Sequence, residues 1–279
     1  MSIDAKRRLA SAAFVALLIL SVFWPSPIVT TNQLCCHAAL PIDDLSFLGR
    51  EAPAWDVVFW CITGIFALAL LQDAHEFRDV VQEFRATRLR IGMMTAAAVL
   101  GAATAVALIW IYVDSPVTEW SERIASDEVQ NWIRIANRFG GGMNPVMVIG
   151  FFLLAGLAYG RERWVGYAIR MTLAGAAGGV LVQLLKFAVG RTRPELWLGP
   201  FHHARASASS FPSGHTVGAF ALAGVLILSS DSKTMRIVAA LLAFSVALSR
   251  VLAFRHWTSD VAASAAIDLT VAAIIQPRK

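Results

Sequence analysis

Two histidines and several cations stand where apolar segments of this sequence begin or end. His215 lies at the start of one apolar segment, and His256 and Asp260 open a later one. Three cations share this kind of position: Lys186, Arg193 and Arg250. Ionisable groups are costly in hydrocarbon, so their collection at segment ends predicts a functional site.

The cations predict a site for a tetrahedral oxyanion such as phosphate. Guanidinium groups bind phosphate oxygens in pairs and carry a permanent charge. Gly214 lets the backbone come close to an anion, and the helix that starts there offers N–H groups and a favourable dipole. The predicted phosphate-binding residues are Lys186, Arg193, Ser213, Gly214, Arg250 and Ser249.

The histidines predict covalent catalysis at phosphorus. His256 and Asp260 are four residues apart, which on a helix puts the imidazole and the carboxylate on one side. The carboxylate would hold one ring nitrogen as an N–H donor and leave the lone pair of the other for attack. His215, beside the anion-binding residues, is placed to protonate the leaving group and then to activate water. We therefore predict His256, His215 and Asp260 as the catalytic residues.

The composition is that of a polytopic membrane protein. Hydrophobic residues make up 57% of the 279 residues and charged residues 15%, which is too apolar for an ordinary soluble globule. The sequence predicts an all-α transmembrane bundle of about eight spans, with an accessory pair and a cytoplasmic loop in residues 1–90 and a six-helix core in residues 91–279. The apolar stretches run over 9–24, 55–71, 91–113, 145–160, 168–189, 216–228, 237–254 and 261–275.

The basic residues predict the orientation of the bundle. Most of the 24 Lys and Arg residues fall in loops on the side of Met1, which places both termini in the cytoplasm. Successive spans alternate in direction, so the histidines and cations would meet on the other face, periplasmic in a bacterial inner membrane. Residues 117–137 predict a helix that either lies on the outer membrane surface or connects two spans in solvent.

Other readings of the composition have little support. The net charge of +5 does not indicate nucleic-acid binding, because no basic run is interleaved with aromatic residues. Cys35, Cys36 and Cys61 lack the spacing of a metal site, and we interpret them as structural. The sequence gives no indication of the oligomeric state.

The constellation resembles the three-part signature of the type 2 phosphatidic acid phosphatase superfamily, the lipid phosphate phosphatases related to vanadium haloperoxidases. The order and the internal spacings both match between Lys186 and Asp260. The three pieces are Lys186-x6-Arg193-Pro194, Pro212-Ser213-Gly214-His215 and Ser249-Arg250-x5-His256-x3-Asp260.

This resemblance implies a metal-independent phosphatase without a cofactor, acting on a lipid phosphate monoester or diphosphate in the bilayer. It implies that His256 is the nucleophile, Asp260 its partner and His215 the general acid. It also implies phosphate binding by Lys186, Arg193, Ser213, Gly214 and Arg250. Family members commonly have three spans before the first motif, whereas five are predicted in this chain.

The resemblance leaves the acceptor and the substrate open. A phosphotransferase that passes the phosphate to a second lipid would use the same residues. A non-catalytic lipid-binding or transport protein would explain charged spans, but not a nucleophile with both a carboxylate and a general acid. Soluble haloperoxidases need no bilayer, so the apolar spans disfavour that activity. Candidate substrates are undecaprenyl diphosphate, phosphatidylglycerol phosphate, phosphatidic acid and lipid A.

Overall fold

The computed structural model describes residues 81–85, 87–89, 91–141, 144–203 and 209–277. The two spans predicted over residues 9–24 and 55–71 lie outside these residues, as do the three cysteines. The described elements are helices apart from two strands of three residues each, so the all-α prediction is confirmed.

Most of the described helices are joined by short connections. The connection over residues 190–213 is longer and contains a 3₁₀ turn at Pro194–Leu196. Strands β1 (Thr87–Leu89) and β2 (Ile275–Pro277) pair in antiparallel register. The α-helices, in chain order, are α1 (Met93–Tyr112), α2 (Asp114–Arg123), α3 (Asp127–Gly140), α4 (Asn144–Ala158), α5 (Glu162–Val189), α6 (Gly214–Ser229), α7 (Lys233–Leu252) and α8 (Thr258–Ile274).

Six of these helices, α1 and α4 to α8, coincide with the six apolar stretches expected in residues 91–279. Among the described helices, α1, α5 and α7 are long and apolar enough to cross a membrane, while α4 and α6 are shorter apolar helices. Helix α5 has 28 residues and begins at Glu162, earlier than the stretch predicted from residue 168. Its polar first turn extends the helix beyond its apolar part.

Helix α6 lies at the centre of the bundle and packs against α5, α7 and α8. Helix α1 packs on α8, and α4 packs on α5. At Gly224 of α6 an added Cβ would lie 3.0 Å from the Cβ of Ala272 in α8. Glycine at this position therefore permits the close approach of the two helices that carry the histidine motifs.

The segment predicted as one helix over residues 117–137 forms two helices, α2 and α3. The break falls at Ser126, whose side chain accepts a hydrogen bond from Val129 N and so caps α3. Helix α3 packs against α7, and α2 buries Asp114, Thr118 and Ser121. The segment is thus part of the bundle and contributes buried polar groups to it.

The end of α5, the starts of α6 and α8 and the end of α7 meet at one end of the bundle. Helix α5 is capped at its C-terminus by Gly190, which has φ 62° and lets the chain turn out of the helix. Beyond it, Glu195 N donates to Phe254 O at 3.1 Å, and Trp257 Nε1 donates to Thr192 O at 2.8 Å. These bonds join the loop after α5 to the loop between α7 and α8.

Candidate active site

His256 lies in the loop before α8 and is only 3% exposed. Its Nδ1 atom is 2.6 Å from the carbonyl oxygen of Ser210. A carbonyl oxygen can only accept a hydrogen bond, so Nδ1 carries the hydrogen and donates it. In the neutral ring, Nε2 then holds the lone pair.

The geometry around Asp260 differs from the expected pairing on one helix face. His256 precedes α8, and its Nδ1 is 3.7 Å from Asp260 Oδ2, longer than a hydrogen bond. Asp260 Oδ2 accepts from Trp257 N at 2.8 Å and from the Ser210 hydroxyl, while Oδ1 accepts from Arg191 Nη1 at 2.6 Å. Asp260 therefore holds Ser210 in place, and the carbonyl oxygen of Ser210 orients His256.

Burial lowers the pKa of His256 to about 4, because the protein interior disfavours the charged ring. Asp260 opposes this shift, and the cations of Arg250 and Arg193 reinforce it. At neutral pH the ring is uncharged. The lone pair on Nε2 is therefore available to bond to an electrophile.

His215 occupies the first turn of α6 and is half-buried. The structure brings it together with the predicted groups from the other helix ends, all of which lie close enough to act on its charge: Lys186, Arg193, Arg250 and His256. In the described parts of the chain, no group of three or more His, Cys, Asp or Glu side chains is placed to hold a metal ion. The site is therefore a concentration of positive charge around two imidazoles.

Ser213 is the N-cap of α6 and is fully buried. Its N–H donates to Ser264 Oγ at 2.8 Å, and its Oγ accepts from Thr216 Oγ1 at 3.0 Å. Both bonds leave the Ser213 hydroxyl hydrogen available to an anion. No described residue lies within 4 Å of where a Cβ would stand at Gly214, so the start of the helix is open.

The structure does not support a direct phosphate contact for Ser249. This side chain is fully buried, and its Oγ lies 2.8 Å from Asn137 Oδ1 and 2.7 Å from Val246 O, both of which are acceptors. Arg250 Nη1 donates to the same Asn137 oxygen at 3.1 Å. Asn137, on α3, thus supports Arg250, and the sequence analysis did not identify it.

The most extensive network in the site is centred on Arg191, which lies between Lys186 and Arg193 and which the sequence analysis did not identify. Arg191 is fully buried. Its Nη2 lies 2.6 Å from Asp114 Oδ2, and its Nη1 lies 2.6 Å from both Asp260 Oδ1 and Ser259 Oγ. Its Nε donates to Pro200 O at 2.8 Å.

Two tryptophans enclose this guanidinium. Its central carbon lies 4.0 Å from the centroid of Trp110 and 5.1 Å from that of Trp257, so cation–π attraction adds to the ion pairs. Asp114 comes from α2, directly after the apolar helix α1. A carboxylate at the end of a membrane span was the available signal, and the sequence analysis did not use it.

Part of this chain is similar in sequence to known phosphatases. Residues 163–276 match the family model described as the PAP2 superfamily. Over 122 residues the chain is 32% identical to a Lipid A 1-phosphatase of Porphyromonas gingivalis, covering 42% of this chain and 25% of that relative. The chain thus matches about a quarter of the length of this curated relative.

A solved structure supports the fold. The crystal structure of the first transmembrane PAP2 type phosphatidylglycerolphosphate phosphatase from Bacillus subtilis superposes with a TM-score of 0.52 and 23% sequence identity. The superposition covers 63% of this chain and 91% of that chain. The helical core described above is therefore shared with a membrane phosphatase of known structure.

Proposed function

We propose that this chain, whose residues 163–276 match the PAP2 superfamily model, removes phosphate from a membrane lipid through a phosphohistidine on His256. The observation that carries this proposal is the geometry of His256, a buried ring whose Nδ1 donates to the Ser210 carbonyl and which therefore keeps its lone pair on Nε2 when neutral. The ring lies among cations and beside a second histidine.

In the first step, Nε2 of His256 attacks phosphorus and the bond from phosphorus to the lipid oxygen breaks. That oxygen takes a proton from His215 as it leaves. The negative charge of the bound phosphate offsets the cations around His215, which allows the ring to hold this proton when substrate is present. The products of this step are the dephosphorylated lipid and a phosphohistidine.

In the second step, the neutral His215 accepts a proton from a water molecule. The oxygen of that water attacks phosphorus, and the bond from phosphorus to Nε2 breaks. Inorganic phosphate leaves, and the lone pair returns to His256. His256 thus forms a bond to phosphorus in the first step and loses it in the second, while His215 first donates a proton and then accepts one.

The charge that develops on the phosphoryl oxygens is met by the side chains of Lys186, Arg193 and Arg250. Preorganised cations stabilise such charge strongly in a site that excludes water. The Ser213 hydroxyl and the start of α6 add hydrogen bonds to the same oxygens. These groups supply the role that a divalent cation has in other phosphatases, so we propose a metal-independent reaction.

The test is phosphate release by the purified protein in detergent. The substrates are undecaprenyl diphosphate, phosphatidylglycerol phosphate, phosphatidic acid and lipid A. We expect release from at least one of them, unchanged in excess EDTA and inhibited by vanadate, which mimics the transition state.

Three outcomes would contradict the proposal. No release from any lipid would exclude the phosphatase function. Loss of activity in EDTA with recovery in Mg²⁺ would exclude the metal-independent mechanism. Transfer of labelled phosphate to a second lipid, with none released, would establish the phosphotransferase alternative.

A further inference from the structure

Behind His256 the structure holds a chain of buried charges that the proposed mechanism does not use. It runs from Asp114 on α2 through Arg191 to Asp260 on α8, and all three side chains are 0% exposed. We propose that Asp114 and Arg191 are positioning residues that fix the orientation of the nucleophile. This inference rests on the proposed function, in which His256 attacks phosphorus.

This series of three buried charges is held firmly in place, because almost every polar atom of its side chains has a defined partner. Asp114 Oδ1 accepts from Ser259 N at 2.8 Å, and Oδ2 accepts from Ser259 Oγ at 2.6 Å as well as from Arg191. Arg191 donates through all three of its nitrogens. Paired charges in a low-dielectric interior resist displacement, because movement of either one leaves the other unpaired.

Two routes lead from Arg191 to the ring of His256. The first runs through its side chain to Asp260, which accepts from the hydroxyl of Ser210. The second runs through its main chain, since Ser210 N donates to Arg191 O at 2.7 Å. Both routes fix Ser210, whose carbonyl oxygen holds Nδ1 of His256 at 2.6 Å.

The consequence for catalysis is a choice of tautomer. As long as the Ser210 carbonyl stays in place, the hydrogen of His256 stays on Nδ1 and the lone pair stays on Nε2. If the carbonyl moves, the other tautomer becomes accessible and the attacking atom carries a hydrogen. Loss of the Asp114–Arg191 pair should therefore lower kcat and leave KM nearly unchanged, since neither residue is a predicted phosphate ligand.

The experiment compares kcat and KM for phosphate release by wild type and three variants, each checked as a monodisperse species in detergent. Asp114→Asn keeps the shape of the side chain but removes its charge, and Ser259→Ala removes the hydroxyl that links Asp114 to Arg191. The matched control is Arg255→Gln, because the ion pair of Arg255 with Glu195 lies one residue from His256 but is partly exposed.

We expect kcat to fall about 100-fold in Asp114→Asn and about 10-fold in Ser259→Ala, because a small misplacement of a reacting group can cost about 100-fold in rate. KM should stay within about threefold, and Arg255→Gln should stay within about twofold of wild type in both constants, as expected for an exposed ion pair.

A folded Asp114→Asn protein with wild-type kcat, or a loss confined to KM, would overturn the inference. If Asp114→Asn does not fold, Ser259→Ala decides, and an unchanged kcat there would overturn it. Failure of both variants to fold would assign the pair to stability alone and overturn it as well. If the wild type releases phosphate from no lipid, the proposed function fails, an outcome separate from all of these.

Discussion

In the proposed mechanism, the hydrogen bond that Nδ1 of His256 donates leaves Nε2 as the nitrogen that attacks phosphorus. The environment of the ring also sets the acid limit of the reaction. Burial lowers the pKa of His256 to about 4, and only the neutral ring is a nucleophile, so activity should be lost as the pH falls through this value. The kcat/KM of the free enzyme reports this ionisation.

We therefore predict an acid limb of kcat/KM with a midpoint near pH 4, after correction for the ionisation of the substrate. The measurement is kcat/KM between pH 3.5 and pH 8 in a series of buffers of constant ionic strength. A midpoint near 6.5, the value of an unperturbed histidine, would contradict a lowered pKa for the nucleophile.

The rate loss caused by removing His215 should depend on whether the leaving group must be protonated. An alkoxide must be protonated as it leaves, whereas a p-nitrophenolate need not be, so His215→Ala should slow the first step about 10²- to 10⁴-fold for a lipid only. With an aryl phosphate, His215→Ala should give a rapid burst of p-nitrophenolate and then slow turnover, because water activation is lost. Stopped-flow absorbance distinguishes these phases, and equal slowing of the burst and of lipid cleavage would refute the assigned role.

The sequence indicated which residues could meet in one site, but it did not indicate how their side chains are connected. His215, His256 and the cations stand out because ionisable groups at the ends of apolar helices are rare. Asp114 contacts Arg191 across 77 positions of sequence, and Asn137 contacts the motif residue Ser249 across 112. Contacts at such separations depend on tertiary packing, which no local pattern encodes.

The backbone at the end of α3 lies directly against the ring of His215. A Cβ at Gly141 would lie 3.1 Å from Nε2 and 3.3 Å from Cδ2 of His215. We predict that Gly141→Ala displaces this ring and lowers kcat about 10-fold or more, since small misplacements are costly in catalysis.

The control for this substitution is Gly179→Ala in α5, where no described residue lies within 4 Å of the added Cβ. That variant should keep wild-type kcat and be slightly more stable, because alanine is the better helix former. Steady-state kinetics and thermal unfolding in detergent provide the comparison. Wild-type kcat in Gly141→Ala would show that the end of α3 does not constrain His215.

The six core helices could be predicted because each coincides with an apolar stretch of sequence, the longest of them in α1, α5 and α7. The division of residues 117–137 into α2 and α3 could not, since the charges of this segment fit a surface helix equally well. The pairing of β1 with β2 also escaped prediction. Strands of three residues are too short to show an alternating pattern.

The two ends of the helix bundle must lie on opposite sides of the bilayer. The site end carries Leu198, and the other end carries Lys233, both exposed. The distribution of Lys and Arg predicts that the site end is periplasmic. In a variant without the native cysteines, a cysteine at Leu198 should react with an impermeant maleimide in intact cells, whereas one at Lys233 should react only after lysis. The reverse pattern would place the site in the cytoplasm.

The central claim is that phosphate is bonded to His256 during turnover. The most direct measurement is rapid mixing of His215→Ala with a radiolabelled aryl phosphate, followed by an alkaline detergent quench that preserves a phosphohistidine. The account predicts that label accumulates on the protein to about one phosphate per chain, because formation is fast and hydrolysis is slow. The double variant that also carries His256→Ala should hold none. Label in the double variant, or its absence from His215→Ala despite a burst of p-nitrophenolate, would contradict the account.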